Sequence, residues 1–236
     1  MPVKGKEKVL ITEHIFELRH DASGSFLDMK GYIADYVRET GTFLHWRIDP
    51  NLVSFFDTSD HIEKEGAFIG YKSISYVVYN PDTKNYFPDK TRSFWKKILK
   101  NKQYTIPKSL SRFGMRTKIF FPSENSFVEI NKIIFDIFYT DKVKELTDGK
   151  EKDFQFVFDL REGQFDLRLA GGPIHQNEVG NYFSFKSEHF KNSGFFLDVD
   201  YSKSSELTQE SIPNLISESV ELMWSKVDKF ENQLGI

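Results

Sequence analysis

The feature that most constrains the fold of this chain is the alternation of apolar and charged residues in FDLREGQFDLR, residues 158–168. Side chains of a β-strand point alternately to the two faces of a sheet, so Phe and Leu share one face while Asp and Arg share the other. A short turn around Glu162 and Gly163 would place Leu160 opposite Phe165 in two antiparallel strands. The repeated tetrapeptide therefore predicts a hairpin in a sheet with one apolar face, and it does not indicate a functional motif.

The periodicity of the rest of the chain predicts the same order of elements twice. Each unit begins with a strand and a helix, continues with three or four strands, and ends with a helix. The first unit is predicted to have strands at 14–21, 42–49, 52–59 and 68–79, with helices at 26–39 and 91–101. The second is predicted to have strands at 112–121, 154–161, 164–171, 181–186 and 195–201, with helices at 126–138 and 208–234.

This order predicts an α+β protein made of two consecutive helix-grip-like units, residues 1–110 and 111–236, packed as one compact body. In each unit an antiparallel sheet would wrap around a long helix, an arrangement that resembles the TATA-binding protein and lipid-transfer domains. An aromatic content of 16%, including 24 Phe, is enough for a substantial core. Resemblance of fold does not carry function, but it directs attention to the free face of the sheet and to any cavity between sheet and helix.

The last predicted helix carries a continuous apolar stripe whose members are spaced alternately four and three residues apart. The stripe consists of Ile216, Val220, Met223, Val227, Phe230 and Leu234. We expect it to lie along a sheet of its own chain. The same spacing would also serve a coiled-coil dimer, so self-association stays an alternative.

Several common chemistries lack the residues that they need. The chain has no Cys, which excludes disulfides, thiolate catalysis and cysteine-ligated zinc. On a strand, His14 and His20 would face away from Glu17. The acidic residues from Asp198 onward lack the Gly and Glu of a calcium loop, and Gly171–Pro173 is interpreted as a turn. We therefore predict no metal, no cofactor and no catalytic residue.

The sequence also gives no indication of membrane attachment. No apolar targeting segment precedes VLITEHIF near the start. The most apolar run, INKIIFDIFY, is interrupted by polar residues and is too short to span a bilayer. We expect a cytoplasmic protein.

One part of the chain is strongly basic although the whole is mildly acidic. Residues 84–118 contain 11 Lys and Arg against one acid, a net charge of +10, so the remainder carries −13 in a chain of total charge −3. The segment could be a solvated surface, bind an acidic protein, or contact phosphates while its aromatic residues stack on bases. The candidate partner-binding residues are cations of this segment and one from the first strand, namely Lys96, Lys97, Lys100, Lys108, Arg112, Arg116 and Arg19.

Two arginines are individual candidates for a polar functional role. Arg19 and Arg116 lie in predicted strands, where a guanidinium could hold a carboxylate or phosphate of a partner through two parallel hydrogen bonds. The alternative is an intramolecular pair with Glu17 or Asp198 on the polar face of the sheet.

Short segments of the chain resemble a known family. They are IFELR (15–19), RFGMRTKI (112–119) and FFLDVDY (195–201), followed by the helix ISESVELMWSKVDKFENQLG. With these, the chain resembles a sporadically distributed family of uncharacterised prokaryotic proteins, which has a Phe-Glu-x-Arg strand, a central Arg-x-Gly-Leu-Arg-Tyr strand, a late acidic strand and a closing amphipathic helix. Here Met115 replaces the central Leu and Thr117 the Tyr. The family implies no known activity, and its patchy distribution implies a defence or mobile-element context.

Because no catalytic set is complete, the sequence predicts a non-enzymatic protein-interaction module whose partner is a protein with an acidic face or a second copy. The resemblance adds an accessory role in a prokaryotic defence or mobile-element system. Nucleic-acid binding by residues 84–118 is one alternative, and binding of a small ligand in a sheet–helix cavity is another.

Overall fold

The computed structural model describes residues 10–147 and 152–234, and its strands form one nine-stranded antiparallel sheet. The strands are β1 (Ile11–His20), β2 (His45–Asp49), β3 (Leu52–Phe56), β4 (Glu65–Gly70), β5 (Ser73–Tyr79), β6 (Leu110–Pro122), β7 (Phe156–Glu162), β8 (Phe165–Ile174) and β9 (Gly194–Lys203). Their order across the sheet is β2-β3-β4-β5-β1-β6-β9-β8-β7, so β2 and β7 are the edge strands.

Five α-helices occur in the described residues. They are α1 (Gly24–Glu39), α2 (Tyr86–Leu99), α3 (Phe127–Phe138), α4 (Asp141–Thr147) and α5 (Ile212–Leu234). Helix α3 begins with the Ser-x-x-Glu box that its sequence contains. The Ser126 hydroxyl accepts from the Glu129 N–H, and the Glu129 carboxylate accepts from the Ser126 N–H at 2.8 Å.

The central strands β1 and β6 join the two parts of the sheet, with Phe16 opposite Met115. After β1 the chain crosses through α1 to the edge strand β2 and returns strand by strand to β5. After β6 it crosses through α3 and α4 to the other edge, β7, and returns to β9. The prediction of a compact protein with helices and antiparallel strands is confirmed. The strands form one continuous sheet, whereas the sequence had predicted a sheet for each unit.

Helices cover one face of the sheet, which we call the helix face. Phe16 of β1, Phe113 of β6 and Leu197 of β9 are fully buried there in one cluster with Trp95 of α2 and Ile216 of α5. Each such side chain contributes about 1.5–3 kcal/mol by leaving water. Residues at the intervening strand positions point to the opposite side, which we call the open face.

The apolar stripe of α5 lies along the sheet of its own chain, as predicted. Its first four members are buried, and Phe230 is partly buried with its ring centroid 5.6 Å from that of Phe156 and 6.3 Å from that of Phe195. The side chain of Leu234 lies outside what the structure describes. The helix begins later than predicted because Thr208 and Ser211 form a turn, each backbone N–H bonding to the other hydroxyl at 3.2 Å.

A smaller aromatic cluster covers one end of the open face, and it includes residues 181–186, for which the prediction of a strand is wrong. Phe183 packs on Phe190 with ring centroids 5.2 Å apart, and Phe185 stacks on Tyr79 at 4.6 Å. The alternating aromatic residues of this segment arise from packing onto the face of the sheet. They do not reflect pairing within it.

Helix α2 also differs from its prediction. It begins at Tyr86, five positions before the predicted N-cap Thr91, since Phe87 is buried and Pro88 is tolerated in a first turn. Thr91 is inside the helix, where its hydroxyl donates to the Phe87 carbonyl at 2.8 Å. The threonine therefore satisfies its own hydroxyl within the helix and does not cap it.

The β7–β8 hairpin has the predicted faces and a different register. Its two-residue turn begins at Gly163, whose φ of 59° suits the first position of a type II′ turn. Glu162 is therefore opposite Phe165, and Leu160 is opposite Leu167. The predicted partners are displaced by two residues, and since the displacement is even, every side chain keeps its predicted face.

The Gly171–Pro173 stretch lies inside β8, so its interpretation as a turn is wrong. Pro173 is opposite Phe195 of β9. A Cβ on Gly172 would collide with the carbonyl oxygen of Phe154, which is why a residue without a side chain is needed inside this strand.

Candidate functional site

Lys96 and Lys97 belong to α2 and Lys100 is its C-cap residue, so all three lie on the helix side of the sheet. Lys96 and Lys100 are exposed. Lys97 is half-buried, and its ammonium group donates to the Thr42 hydroxyl at 2.8 Å and to the Thr40 carbonyl at 3.3 Å. Lys97 therefore fastens the end of α1 to α2, and the two exposed lysines are the ones that a partner could reach.

The three arginines proposed from the sequence lie on the open face. Arg112 and Arg116 project there from β6 and Arg19 from β1, while Lys108 is exposed in the connection between α2 and β6. The thickness of the sheet separates these arginines from Lys96, Lys97 and Lys100. Residues 84–118 therefore do not form one basic surface.

Arg116 and Arg19 are paired within the chain. The Arg116 guanidinium donates to both oxygens of Asp198, at 2.9 and 2.6 Å, and the hydrogen bonds to this carboxylate raise the pKa of Arg116. The Arg19 Nε lies 2.5 Å from the Glu17 Oε1. These are the intramolecular pairs that the sequence had offered as the alternative to partner binding.

Charges alternate in sign along a row that crosses four strands of the open face. Arg116 of β6 is opposite Asp200 of β9, Asp200 is opposite Arg168 of β8, and Arg168 is opposite Asp159 of β7. The last two are joined by a hydrogen bond of 3.0 Å. Directly opposed residues on neighbouring strands are about 5 Å apart, so opposite charges stabilise the pairing and like charges weaken it. The row ends at β7 on a carboxylate.

The repeated tetrapeptide pairs with itself in the β7–β8 hairpin. Asp159 is opposite Arg168, Leu160 is opposite Leu167, and Arg161 is opposite Asp166. The last pair is joined at 2.6 Å. Two antiparallel Phe-Asp-Leu-Arg segments thus match each Asp to an Arg about a central Leu–Leu pair. We call this arrangement the FDLR pairing.

A cleft of about 440 Å³ opens on the open face beside the aromatic cluster. Of the described residues, three cations line it, namely Arg116, Lys118 and Arg168, together with one acid, Asp198, and with Tyr182. Arg116 is 45% exposed above Asp198 at 16%, so in this pair the cation lies nearer the solvent than the carboxylate. The Arg116–Asp198 pair therefore presents mainly its positive member to a ligand in the cleft.

A buried carboxylate ties the cleft to the aromatic cluster. Glu13 of β1 is 1% exposed and accepts the Ser184 backbone N–H at 2.9 Å and the Ser184 hydroxyl at 2.7 Å. The Lys118 ammonium lies 3.4 Å from the same carboxylate. These bonds compensate the burial of the acid and fix the position of the segment that borders the cleft.

The outer edge of β7 is paired with no other strand of the described residues, although the strand carries exposed apolar side chains. Val157 is 52% exposed on the open face, while Phe158 and Leu160 are 40% and 48% exposed on the helix face. A strand edge with apolar side chains on both faces is the usual acceptor of an additional strand.

The hairpin turn determines which backbone groups of β7 face outward. Glu162 and Phe165 close a two-residue turn and form a hydrogen-bonded pair. Hydrogen-bonded and non-bonded pairs alternate along an antiparallel ladder. The backbone groups of Leu160 therefore point to β8, whereas those of Asp159 and Arg161 point to the free edge.

The other edge strand, β2, is shorter and more constrained. It has five residues and ends at Asp49, directly before Pro50. The Lys30 ammonium donates to the Pro50 carbonyl at 2.9 Å, and Arg47 pairs with Asp49 in the same strand at 3.2 Å. This edge presents few backbone groups to a further strand.

His14 belongs to the core. It is 1% exposed, its ring Nδ1 lies 2.9 Å from the Thr117 hydroxyl, and it stacks on Phe87 with ring centroids 5.0 Å apart. Burial lowers the pKa of His14 to about 3. The imidazole is therefore neutral near pH 7. As predicted, His14 and His20 face one side of β1 and Glu17 the other.

Within 10–147 and 152–234, no three His, Cys, Asp or Glu residues are placed to hold a metal ion. Over the same ranges, no helix has both the length and the apolar character to cross a membrane.

Sequence reasoning did not identify β7 as an edge strand with exposed apolar side chains. Phe156–Phe158 are three consecutive apolar residues, so both faces of this strand carry apolar side chains. That pattern is the one available signal, because a partly solvated strand normally alternates. The place of β7 at the end of the sheet depends on the crossover through α3 and α4, which local periodicity does not specify.

Comparison with known protein families, curated proteins and solved structures finds no match to this chain.

Proposed function

We propose that this chain is a non-enzymatic protein-interaction module and that a strand of its partner adds to the outer edge of β7. The observation that carries the proposal is this unpaired strand, with Val157 exposed on one face and Phe158 and Leu160 on the other. Strand addition obtains affinity from main-chain hydrogen bonds and selectivity from alternate side chains. The edge of β7 offers both.

The two helix-grip halves, 1–110 and 111–236, are part of the same proposal. Their support is the path of the chain: β1 and β6 are central, α1 and α3 lead to opposite edges, and α2 and α5 follow the returning strands. In this view the sheet of the second half ends laterally at β7, and this half supplies the interaction edge.

The non-enzymatic character is supported by how the polar groups are engaged. Arg116, Arg19 and Arg168 are each bonded to a carboxylate of the sheet, and His14 is buried as a neutral ring. General acid–base catalysis requires a titratable group within reach of a substrate proton. Their ion pairs and burial hold these side chains within the fold, so they are poorly placed to exchange a proton with a substrate.

The other expectations remain proposals with less support. An acidic partner could reach Lys96 of α2 and Lys100 at the C-cap of that helix, since both are exposed. Nucleic acid is less favoured, because the cations of 84–118 are divided between two faces and one backbone would not contact both. An accessory role in prokaryotic defence or a mobile element rests on the family resemblance alone.

The test compares matched variants at the two edges of the sheet. Leu160→Lys places a charge on the β7 edge, and Ile48→Lys places one on β2 at a similar exposure. Both are used as baits beside the wild type, and each captured protein is purified and titrated against all three by calorimetry. We expect binding to the wild type and to Ile48→Lys, and at least about tenfold weaker binding to Leu160→Lys. Equal binding to the two variants would contradict the proposal.

A second candidate function is supported by the cleft. Its volume of about 440 Å³ and its exposed cations suit a small anionic ligand. Inorganic phosphate, a dicarboxylate and a nucleoside monophosphate are tested by thermal shift against wild type, Arg168→Ala and the control Arg19→Ala outside the cleft. We expect a concentration-dependent rise in Tm that only Arg168→Ala removes. No rise with any of the three compounds would dismiss this candidate.

A further inference from the structure

The chain itself contains a strand that fits the outer edge of β7. We propose that the partner strand is β7 of a second copy, paired antiparallel about a two-fold axis at Leu160. This inference rests on the proposed interaction role of β7 and names the partner.

The FDLR pairing inside the hairpin is the template for the contact. On its inner edge, β7 already pairs its Phe-Asp-Leu-Arg with the same tetrapeptide of β8, with ion-pair distances of 3.0 Å (Arg168 to Asp159) and 2.6 Å (Arg161 to Asp166). The outer edge of the same residues pairs with no other strand in 10–147 or 152–234. A second copy presents the identical tetrapeptide, so the pairing that closes the hairpin can be formed once more between molecules.

The two-fold axis at Leu160 brings complementary charges together. Asp159 lies opposite Arg161 of the second copy, and Arg161 lies opposite Asp159 of the second copy. The alternating row from Arg116 to Asp159 then continues with a cation across the interface. Because the axis makes the contact isologous, each favourable pair occurs twice.

The backbone is arranged for this register. The outward groups of β7 belong to Asp159 and Arg161, which are the residues that the axis at Leu160 sets opposite each other. They form hydrogen-bonded pairs, and the two Leu160 residues form the central non-bonded pair, in which Cα atoms are about 4.5 Å apart. The five residues 158–162 are paired in this way, and the two nine-stranded sheets become continuous.

Other registers lose this match. An axis at Asp159 or Arg161 sets identical charges opposite each other, which costs stability. An axis at Phe158 sets Asp159 opposite Val157 and leaves the charges without partners. With the axis at Leu160, opposite charges face each other, the two Leu160 side chains face each other, and the outward backbone groups of Asp159 and Arg161 are hydrogen-bonded.

Charge exchange provides the first test. In a homodimer, Asp159→Arg alone would set the introduced guanidinium opposite Arg161, and Arg161→Asp alone would set the introduced carboxylate opposite Asp159. Each homodimer then has like charges at both pairs of opposed positions, whereas a heterodimer of the two variants has opposite charges at both pairs. By sedimentation we expect a wild-type dimer, at least about tenfold weaker self-association of each variant, and a heterodimer in the mixture. Circular dichroism and Tm confirm folding, since each exchange also changes a pair with β8.

Cross-linking provides the second test. The chain has no Cys, so Leu160→Cys introduces one thiol at the proposed axis. A Cα separation of about 4.5 Å falls within the range of disulfides. We expect mild oxidation to give a covalent dimer with Leu160→Cys and not with the control Ile48→Cys on β2.

The outcomes distinguish this inference from the proposed function. A monomeric wild type at every concentration, with no cross-link at residue 160, overturns the second copy as partner. If the wild type does not self-associate but Leu160→Lys weakens its binding to a different purified protein, the interaction role of β7 stands and the added strand comes from that protein. If Leu160→Lys changes neither self-association nor that binding, both proposals fail.

Discussion

The two edge strands of the sheet meet the solvent in different ways. β2 has five residues, is followed by Pro50, and has Lys30 bonded to the carbonyl beyond its end. β7 has seven residues and carries exposed apolar side chains on both faces. One sheet thus has a short, interrupted edge and a long, accessible one. Exposed edges favour aggregation, so an edge left accessible is expected to have a partner.

The two edge strands also differ in how their charges would match in a two-fold pairing with a second copy. Both strands carry an Arg and an Asp two positions apart, Arg47 with Asp49 in β2 and Arg161 with Asp159 in β7. In β2, a two-fold register that uses the whole strand sets Arg47 opposite itself, and the complementary register at Ile48 pairs only residues 47–49. Length and the following Pro50, more than composition, therefore separate a blocked edge from an open one.

The largest expected difference between the edges concerns their anchoring to the core. Phe156 of β7 is 7% exposed and stacks on Phe138 and Phe230, whereas Trp46 of β2 is 41% exposed. We expect Phe156→Ala to lower the free energy of unfolding by about 3–5 kcal/mol and Trp46→Ala by about 1 kcal/mol. Urea denaturation measures both. Equal losses would show that the two edges are anchored alike.

His14 lies in β1, between the two edges of the sheet, and its burial is expected to make the stability of the protein depend on pH. The pKa of His14 is about 3 in the folded protein because the ring is buried, and about 6.5 when unfolded. Between these values only the unfolded chain binds the proton, so stability is complete above pH 6.5 and falls as the pH is lowered. Between pH 7 and pH 5 we expect a loss of about 2 kcal/mol that His14→Phe does not show. A variant with the same pH dependence as the wild type would place the titration elsewhere.

Hydrogen exchange probes the edges without substitution. The amide N–H groups of Asp159 and Arg161 point outward from β7 and become bonded in the proposed dimer. We expect their exchange to slow by at least about tenfold as protein concentration rises through the dissociation constant. The amides of Arg47 and its β2 neighbours serve as the control and should keep their rates. Concentration-independent rates at both edges would remove the distinction between them.

The turns that lead to the two edges differ in backbone conformation. Gly163 has a φ of 59°, and no atom outside its neighbours lies closer than 3.9 Å to a Cβ built on it, so an alanine there meets backbone strain and no clash. We expect Gly163→Ala to cost about 1–2 kcal/mol. Asn51→Ala in the β2–β3 turn, where φ is not positive, should cost clearly less. Thermal unfolding compares them, and a neutral Gly163→Ala would mean that the turn adopts another type.

The smallest effect on stability is expected away from both edges. Lys96 of α2 and its C-cap residue Lys100 are exposed, so the double change Lys96→Glu with Lys100→Glu should alter the free energy of unfolding by no more than about 0.5 kcal/mol. It should leave association through β7 unchanged and weaken only a complex with an acidic protein. Loss of the dimer in this variant would indicate that the interface lies at α2 and not at β7.

The sequence predicts which face each side chain takes better than it predicts the order and register of the strands across the sheet. Alternation placed the side chains of β7 and β8 on their correct faces, and the spacing of the α5 stripe predicted its burial. These patterns depend on residues close in sequence. The register of the hairpin was displaced by two because Gly163 is the first and not the second residue of its turn.

The candidate site was less accessible to prediction, for a physical reason. Whether Lys96 and Arg116 share a surface depends on the side of the sheet that each element takes, and local periodicity does not contain that information. The pairing of Arg116 with Asp198 joins residues 82 positions apart. The FDLR repeat was correctly interpreted as a hairpin, yet the proposed second pairing on the outer edge of β7 could be inferred only once β7 was known to end the sheet.

The pairing of β1 with β6 has a consequence for synthesis of the chain. Phe16 and Met115 are neighbours in the sheet, so β1 lacks one of its two strand neighbours until residues 110–122 have left the ribosome. At about 5–20 residues per second, that interval lasts several seconds. During it Glu13 has neither Lys118 nor Ser184 as a partner. The nascent first half thus exposes a temporary edge that the complete protein conceals, and a delay in elongation after residue 110 would prolong the period in which that edge can bind to other chains.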